Sequence, residues 1–180
     1  MYKIIKKVQF SEKVFRLDVE APLIAKARKA GHFVIIRVGE KGERVPLTIA
    51  GSDPEKGTIT LVVQTVGAST NKLCALNEGD YITDVVGPLG KATHIENYGT
   101  VVCAGGGVGV APMLPIIQAL KAAGNRVISV LAGRSKELII LEDEVRASSD
   151  EVIILTDDGS YGFGGLVTAK IEQLVNEGKK

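Results

Sequence analysis

The stretch Val101-Val-Cys-Ala-Gly-Gly-Gly-Val-Gly-Val-Ala-Pro-Met113 ends an apolar run with Gly105, Gly106, Gly107 and Gly109, and a proline follows closely. Thr100-Val-Val-Cys103 has the character of a short buried strand, and Pro112 to Ala123 is apolar at helical spacing until Gly124 stops it. The stretch reads as strand, turn and helix. Pro112 and Pro115 suit a first helical turn, where a missing N–H costs little, and Gly124 suits a C-terminal cap. A glycine turn at a helix N-terminus lets backbone approach a phosphate, whose charge the free N–H groups and the helix dipole favour. The same glycines serve equally well as a tight turn that packs helix on strand. The spacing is not G-x-G-x-x-G, because Val110 stands five after Gly105, and no Lys-Ser/Thr follows as in a Walker A loop.

Downstream, Arg126-Val-Ile-Ser-Val-Leu-Ala132 reads as a second strand, leading through Gly133 to a helix near 136–147, a strand at Val152–Leu155 and a final amphipathic helix. That helix carries Val167, Ile171, Leu174 and Val175 on one face. Alternating strands and helices imply a doubly wound parallel sheet over residues 97–180, lacking its last strands, since such sheets usually have five or six. Upstream the period changes to two. Phe15, Leu17 and Val19 alternate with Arg16 and Asp18, Phe33–Val38 follows Gly31, and Thr58–Val63 follows the turn Asp53-Pro-Glu-Lys-Gly57. Residues 1–96 therefore read as a small antiparallel β barrel, with Leu23–Ala27 as a short connecting turn. The fold class is β followed by α/β.

The 180 residues carry 22 Lys+Arg against 21 Asp+Glu, with no long basic block, which argues against nucleic acid and anionic membrane as partners. The apolar runs are strand-sized, and Met1–Lys7 lacks a signal-peptide pattern, so a cytoplasmic location is expected. Cys74 and Cys103 lie too far apart for a metal motif and read as small buried hydrophobes.

Several short segments are candidates for binding. Arg44-Val-Pro-Leu-Thr48 sets a cation, a fixed backbone and a hydroxyl on one β segment, though arginine in a strand is commonly a surface ion pair. Gly67-Ala-Ser-Thr70 could form an anion nest or be an ordinary loop. Gly133-Arg134-Ser135 stands at the tip of the second strand, where an acidic residue would read a ribose and an arginine could accommodate a 2′-phosphate. Asp157-Asp-Gly-Ser-Tyr-Gly162 lies past the third strand, where ligands of open α/β sheets bind, and reads equally as an Asp-Gly turn.

Arg-x-Pro-Leu-Thr on a barrel, Gly-x-Ser-Thr after it, Gly87-Pro-Leu-Gly90, and GGGVGVAP opening an α/β half together resemble the ferredoxin–NADP reductase superfamily nearly end to end. Within it the chain is similar to the FAD/NAD-binding small-subunit family of sulfide dehydrogenase and NADH-dependent reduced ferredoxin:NADP oxidoreductase. The electron-transfer subunits of dihydroorotate dehydrogenase are near relatives. Thr156–Gly162 followed by Gly165-Leu-Val-Thr168 is common to both, while RVPLTIA favours the first, because the second tends to read Arg-Arg-Pro-Ile-Ser.

The resemblance implies that the barrel binds FAD. Arg44 and Thr48 would meet the ribityl-phosphate region, Pro46, Leu47, Thr48 and Ile49 would lie along the flavin, and Gly67, Ser69 and Thr70 would donate to the pyrophosphate. It implies NAD at Gly105, Gly106, Gly107, Val108, Gly109, Ala111 and Pro112, with Gly133, Arg134, Asp157, Asp158 and Gly159 nearer the ribose and adenine, and it leaves NADP open. The implied enzyme is an NAD(P)H-dependent flavoprotein oxidoreductase subunit. It would move hydride between NAD(H) and FAD and single electrons to a larger flavin/iron–sulfur oxidoreductase subunit, or to ferredoxin. The dihydroorotate dehydrogenase subunit, a free-standing flavin reductase and a non-catalytic FAD-binding remnant are the alternatives. No catalytic side chain is called for, and His32 and His94 read as surface or structural residues.

Three departures from the family pattern stand out. Arg44 lies four residues before Thr48 where relatives have three, Leu47 replaces an aromatic, and relatives continue with a Gly-Pro strand and a four-cysteine cluster for a [2Fe–2S] centre. The 180 residues hold neither, and no ligands for the cluster. The absent strands would wall the nicotinamide pocket, so the 180-residue chain is expected to keep FAD better than NAD(H). Flavin retention compared with an NADH titration checks this, and tight NADH binding with fast flavin reduction by the bare chain contradicts it.

Overall fold

A computed structural model describes residues 1–177. The chain divides into two units, Met1–Thr93 and His94–Lys180. The sequence reading placed the boundary at 96/97. Thr93 N–H still bonds Ala30 C=O at 2.9 Å in the first unit. Beyond it, Asn125 Nδ2 donates to Glu96 C=O at 2.8 Å, and Asn125 Oδ1 accepts Tyr98 N–H at 2.6 Å, which holds the segment before the first parallel strand to the second unit.

In the first unit the strands are β1 (Tyr2–Ser11), β2 (Val14–Glu20), β3 (Phe33–Arg37), β4 (Val45–Asp53), β5 (Thr58–Gln64), β6 (Tyr81–Ile82) and β7 (Asp84–Leu89). Their order is β6-β1-β2-β5-β4-β3-β7, with antiparallel pairing throughout. β6 and β7 flank Thr83, so one bent stretch pairs with β1 at one end of the sheet and with β3 at the other. The bend is fixed by Thr83, whose N–H donates to Arg37 C=O at 3.1 Å and whose hydroxyl accepts Gly39 N–H at 2.7 Å. The result is a nearly closed barrel.

Period-two alternation fills its interior with Leu17, Val19, Val34, Ile36, Ile49, Ile59, Leu61 and Val63, each 1% exposed or less. Full burial of one such side chain contributes about 1.5–3 kcal/mol. The segment after Pro22 is a six-residue helix, α1 (Pro22–Ala27), rather than a simple turn, because Ile24 and Ala25 are buried against the barrel core. A second helix, α2 (Ala68–Ala75), anchors through buried Leu73 and Cys74.

The second unit runs β8 (Thr100–Gly106), α3 (Val110–Ala122), β9 (Arg126–Gly133), α4 (Glu142–Ala147), β10 (Glu151–Thr156), β11 (Phe163–Gly164) and α5 (Val167–Asn176). The strands are parallel in the order β11-β10-β9-β8. Five details differ from the sequence reading. β8 continues through Gly105 and Gly106, which pair with Leu131 and Ala132, so these glycines belong to the strand. α3 begins at Val110, which puts Pro115 inside the helix and deprives the Ala111 carbonyl of its usual donor; burial of the proline ring offsets this. The helix at 136–147 is broken into a 3₁₀ turn at Lys136–Leu138 and α4, because Leu141 adopts a left-handed conformation at φ 57° while burying its side chain. β11 adds a fourth parallel strand too short for a periodic signal. On α5, Leu174 is buried and Val167 packs on the same cluster, but Val175 is 57% exposed, one residue past the buried face.

The turn from β10 to β11 is closed by buried Thr156, whose hydroxyl donates to Tyr161 C=O at 2.8 Å and accepts Tyr161 N–H at 3.0 Å. This brings Gly162 (φ 70°) against β10, where a Cβ would lie 2.3 Å from the Ile154 carbonyl oxygen; Gly159 (φ 69°) faces open space. Gly162→Ala should therefore destabilise the second unit by about 3 kcal/mol and Gly159→Ala by about 1 kcal/mol in denaturant unfolding. Equal losses would contradict the steric reading.

Candidate functional site

The alternation of β4 sorts its candidate residues. Val45 and Leu47 pack against the barrel core and Ile49 is 1% exposed, so these side chains point inward. Exposed Arg44 and Pro46, with partly buried Thr48, form the outward row. In the adjoining register, Ile35 lies opposite Pro46 and Val86, and Phe33 opposite Thr48 and Leu89. Because Val34 and Ile36 are buried inward, Ile35 faces out, and Val86 is 49% exposed. The outer face of β7, β3 and β4 thus carries an apolar strip with a hydroxyl within it and a cation at its end. Arg37, hydrogen-bonded to Asp84 at 2.6 Å, holds the Asp84 carboxyl below its ordinary range, and Arg44 adds to the effect. Only backbone of Leu47 and Ile49 reaches the outer face.

Gly67 caps α2. The Thr70 hydroxyl accepts the N–H groups of Val66 (3.0 Å) and Gly67 (3.1 Å) and donates to Gly67 C=O at 3.0 Å, so it is committed to the cap. As first-turn groups, the N–H donors of Ala68, Ser69 and Thr70 have no acceptor within the helix. The Ser69 hydroxyl donates to Glu43 at 2.7 Å across a cleft of about 210 Å³ that Lys41 and Lys72 also line. Sequence reading missed Glu43, for which no pattern speaks. It also missed Ile35 and Val86, although the buried Val34 and Ile36 imply an outward Ile35.

The four loop glycines divide by what surrounds them. A Cβ on Gly105 would meet Met113 Sδ and Cε and the Gly109 carbonyl oxygen at 3.2 Å, so this glycine lets α3 pack closely on β8. Gly107 takes φ 51°, and both it and Gly109 face open space. Gly105 thus serves packing, while Gly107 and Gly109 leave open space before the start of α3. Val110 N–H bonds back to Gly107 and Val108, Ala111 follows, and Pro112 removes one first-turn donor.

At the carboxyl edge the structure joins two candidate loops. Asp157 N–H donates to Gly133 C=O at 3.0 Å and Asp158 N–H to Arg134 C=O at 3.2 Å. Lys136 N–H adds a bond to the Ser160 hydroxyl at 2.9 Å. A Cβ on Gly133 would press on Ile139 Cδ1 at 3.0 Å, so this glycine serves packing. The Arg134 guanidinium is exposed. Asp158 accepts Ser160 N–H at 2.9 Å, and that hydroxyl-and-amide contact with Ser160 holds its carboxyl below the ordinary value. Glu137 is lowered chiefly by Ser135 and is opposed by the Asp158 charge, so these two carboxylates lie near one another on the joined loops. His32 accepts Lys29 N–H at 3.1 Å and His94 pairs with Glu96, so both are local structural contacts. Among the described residues no group of three or more His, Cys, Asp or Glu could hold a metal ion, and no helix is long and apolar enough to cross a membrane.

No family model matches the chain. It is 48% identical over 177 residues to the dihydroorotate dehydrogenase B (NAD(+)) electron transfer subunit homolog of Thermotoga maritima, covering 98% of this chain and 62% of that protein. It is 32% identical over 177 residues to the dihydroorotate dehydrogenase B (NAD(+)) electron transfer subunit of Streptococcus pneumoniae, covering 96% of this chain and 68% of that one. Among solved structures, the NADH-dependent reduced ferredoxin-NADP oxidoreductase, studied for flavin-based electron bifurcation, matches with TM-score 0.94 and 44% identity over 98% of this chain and 64% of its own. Phthalate dioxygenase reductase, at TM-score 0.70 and 21% identity over 88% of this chain and 51% of its own, shares the fold. The chain thus spans somewhat under two thirds of the Thermotoga protein and of the oxidoreductase chain. By its likeness to the Streptococcus protein across nearly its whole length, the chain belongs to the family of the dihydroorotate dehydrogenase B electron-transfer subunits, within the ferredoxin reductase superfamily.

Proposed function

We propose that this chain is the FAD- and NAD-binding electron-transfer module of a multisubunit oxidoreductase. The observation that carries the reading is the outer strip of the barrel. Ile35, Pro46 and Val86 offer a flat apolar surface, Thr48 a hydroxyl and Arg44 a cation at one end, which is the donor set a flavin with its phosphate-bearing tail calls for. Leu47 and Ile49 take part through backbone. Ser69 and Thr70 supply first-turn N–H groups of α2 to the pyrophosphate, their hydroxyls being engaged. Gly67, whose own N–H is taken by the Thr70 hydroxyl and so is not the donor the sequence suggested, leaves room for the phosphates to approach.

NAD(H) takes the second unit, with Gly105 to Gly109, Ala111 and Pro112 beneath its pyrophosphate and Gly133, Arg134, Asp157, Asp158 and Gly159 around its adenosine end. NAD(H) is favoured over NADP(H) because the neighbouring carboxylates Glu137 and Asp158, on the loops joined at the carboxyl edge, would oppose a 2′-phosphate and can accept from ribose hydroxyls. The two relatives named for dihydroorotate dehydrogenase B also carry NAD(+) in their names. When bound, nicotinamide and flavin supply hydride and one-electron chemistry. The protein's own residues bind and orient: the strip sets the flavin plane, the helix start draws the phosphates, and the stapled loops hold the far nucleotide. The partner is a larger oxidoreductase subunit, with ferredoxin as a second acceptor, and a cytoplasmic site of action belongs to the same reading.

The purified protein should show flavin absorption that anaerobic NADH bleaches and NADPH does not. A colourless protein that takes up no added FAD contradicts the reading, and bleaching by NADPH alone overturns the nucleotide choice. Gly109 offers a sharper probe, since its φ of −64° suits alanine and nothing lies within 4 Å of a Cβ. Gly109→Ala should leave stability within about 0.5 kcal/mol of the parent and weaken NADH binding roughly tenfold, a loss of about 1.4 kcal/mol. Unchanged NADH affinity would remove the loop from the site.

A further inference from the structure

The N-terminal end of α2 presents the first-turn N–H groups of Ala68, Ser69 and Thr70, with the Ser69 hydroxyl on Glu43 and the Thr70 hydroxyl in the cap, and its other end is tightly held from a distant strand. The Lys7 ammonium, from β1, donates to Cys74 C=O at 2.6 Å and to Leu76 C=O at 2.8 Å, the carbonyls at the end of the helix. It lies 5.2 Å from the centre of the Phe15 ring, and the Lys7 N–H donates to Glu78 at 2.8 Å, which fixes the following turn to the same strand residue. The ammonium thus rests on helix carbonyls. Burial pushes the neighbouring Cys74 thiol up to about 11, against the lowering pull of Lys7, so no thiolate competes for that charge at neutral pH.

An eight-residue helix is too short to be stable alone and takes its axis from what anchors it. Leu73 and Cys74 anchor one face by burial, and Lys7 pins the end. A cation at a helix C-terminus also offsets the negative pole, so the positive pole at the first turn faces an incoming anion with less opposition.

We propose that Lys7 is the positioning residue of the flavin diphosphate site: held on the C-terminal carbonyls of α2, it fixes and polarises the helix whose opposite end meets the phosphates. It touches no cofactor and acts through Ala68, Ser69 and Thr70. The inference rests on the reading of the α2 N-terminus as the pyrophosphate site.

The test compares FAD and riboflavin binding to the full chain, its flavin removed, for the parent, Lys7→Met and Lys7→Arg. Riboflavin keeps the ring and lacks the phosphates, so a general loss of barrel structure weakens both ligands and a loss at the diphosphate weakens FAD alone. Lys7→Met should weaken FAD about tenfold and leave riboflavin within about twofold, and Lys7→Arg should stay within about threefold of the parent for both. Equal loss of both ligands, unchanged FAD affinity in Lys7→Met, or an arginine variant as weak as the methionine one overturns the proposal. Should Lys7→Met fail to fold, Lys7→Gln, uncharged and still a donor, carries the same comparison. A parent that binds FAD no better than riboflavin overturns the diphosphate reading and this inference together. A parent that favours FAD beside an unaffected Lys7→Met overturns the role of Lys7 alone.

Discussion

A rolled antiparallel sheet leaves two raw edges, and in the first unit a single stretch, 81–89, covers both. Its first half pairs with β1 and its second with β3, across the bend at Thr83. Everything proposed for the barrel follows from that closure. It turns the apolar residues of β2, β3 and β5 inward around one core, and so turns Arg44, Pro46 and Thr48 outward as a row. It also sets β7 beside β3, which brings Val86 next to Ile35 and makes a strip of what would otherwise be scattered side chains.

In the second unit the governing constraint is how near α3 can come to β8. The absence of a side chain at Gly105 lets Met113 close over the strand, while Gly107 and Gly109 have no such neighbour. Glycines two positions apart, one crowded and two open, show why a glycine-rich string by itself is poor evidence for a ligand. The open ones carry the functional argument, and the crowded one carries the packing.

The barrel, the parallel order of the second unit and the position of the glycine loop were legible in the amino-acid sequence, because each rests on periodicity or on residues whose backbone limits are intrinsic. What escaped was set by tertiary packing. Pro115 and Leu141 occupy conformations their residue types disfavour, the one inside a helix and the other at positive φ, and both are held there by burial. β11 is two residues long and owes its existence to the Thr156 hydroxyl and the tight approach of Gly162 to β10, neither of which leaves a pattern. Within the site, Arg44 to Thr48 was legible as one β segment, but not which of its side chains turn outward, nor the commitment of the Thr70 hydroxyl to its own helix cap, nor Glu43 as partner to Ser69.

The loops after β9 and β10 are joined by the bonds from Asp157 to Gly133 and from Asp158 to Arg134, with Lys136 and Ser160 adding a third link. Segments cross-linked in this way open and close together rather than separately. Amide exchange at Asp157, Asp158 and Lys136 would then report a single shared opening. A ligand seated on either loop would slow exchange on both, so occupancy of one loop becomes visible at its neighbour without any change of fold.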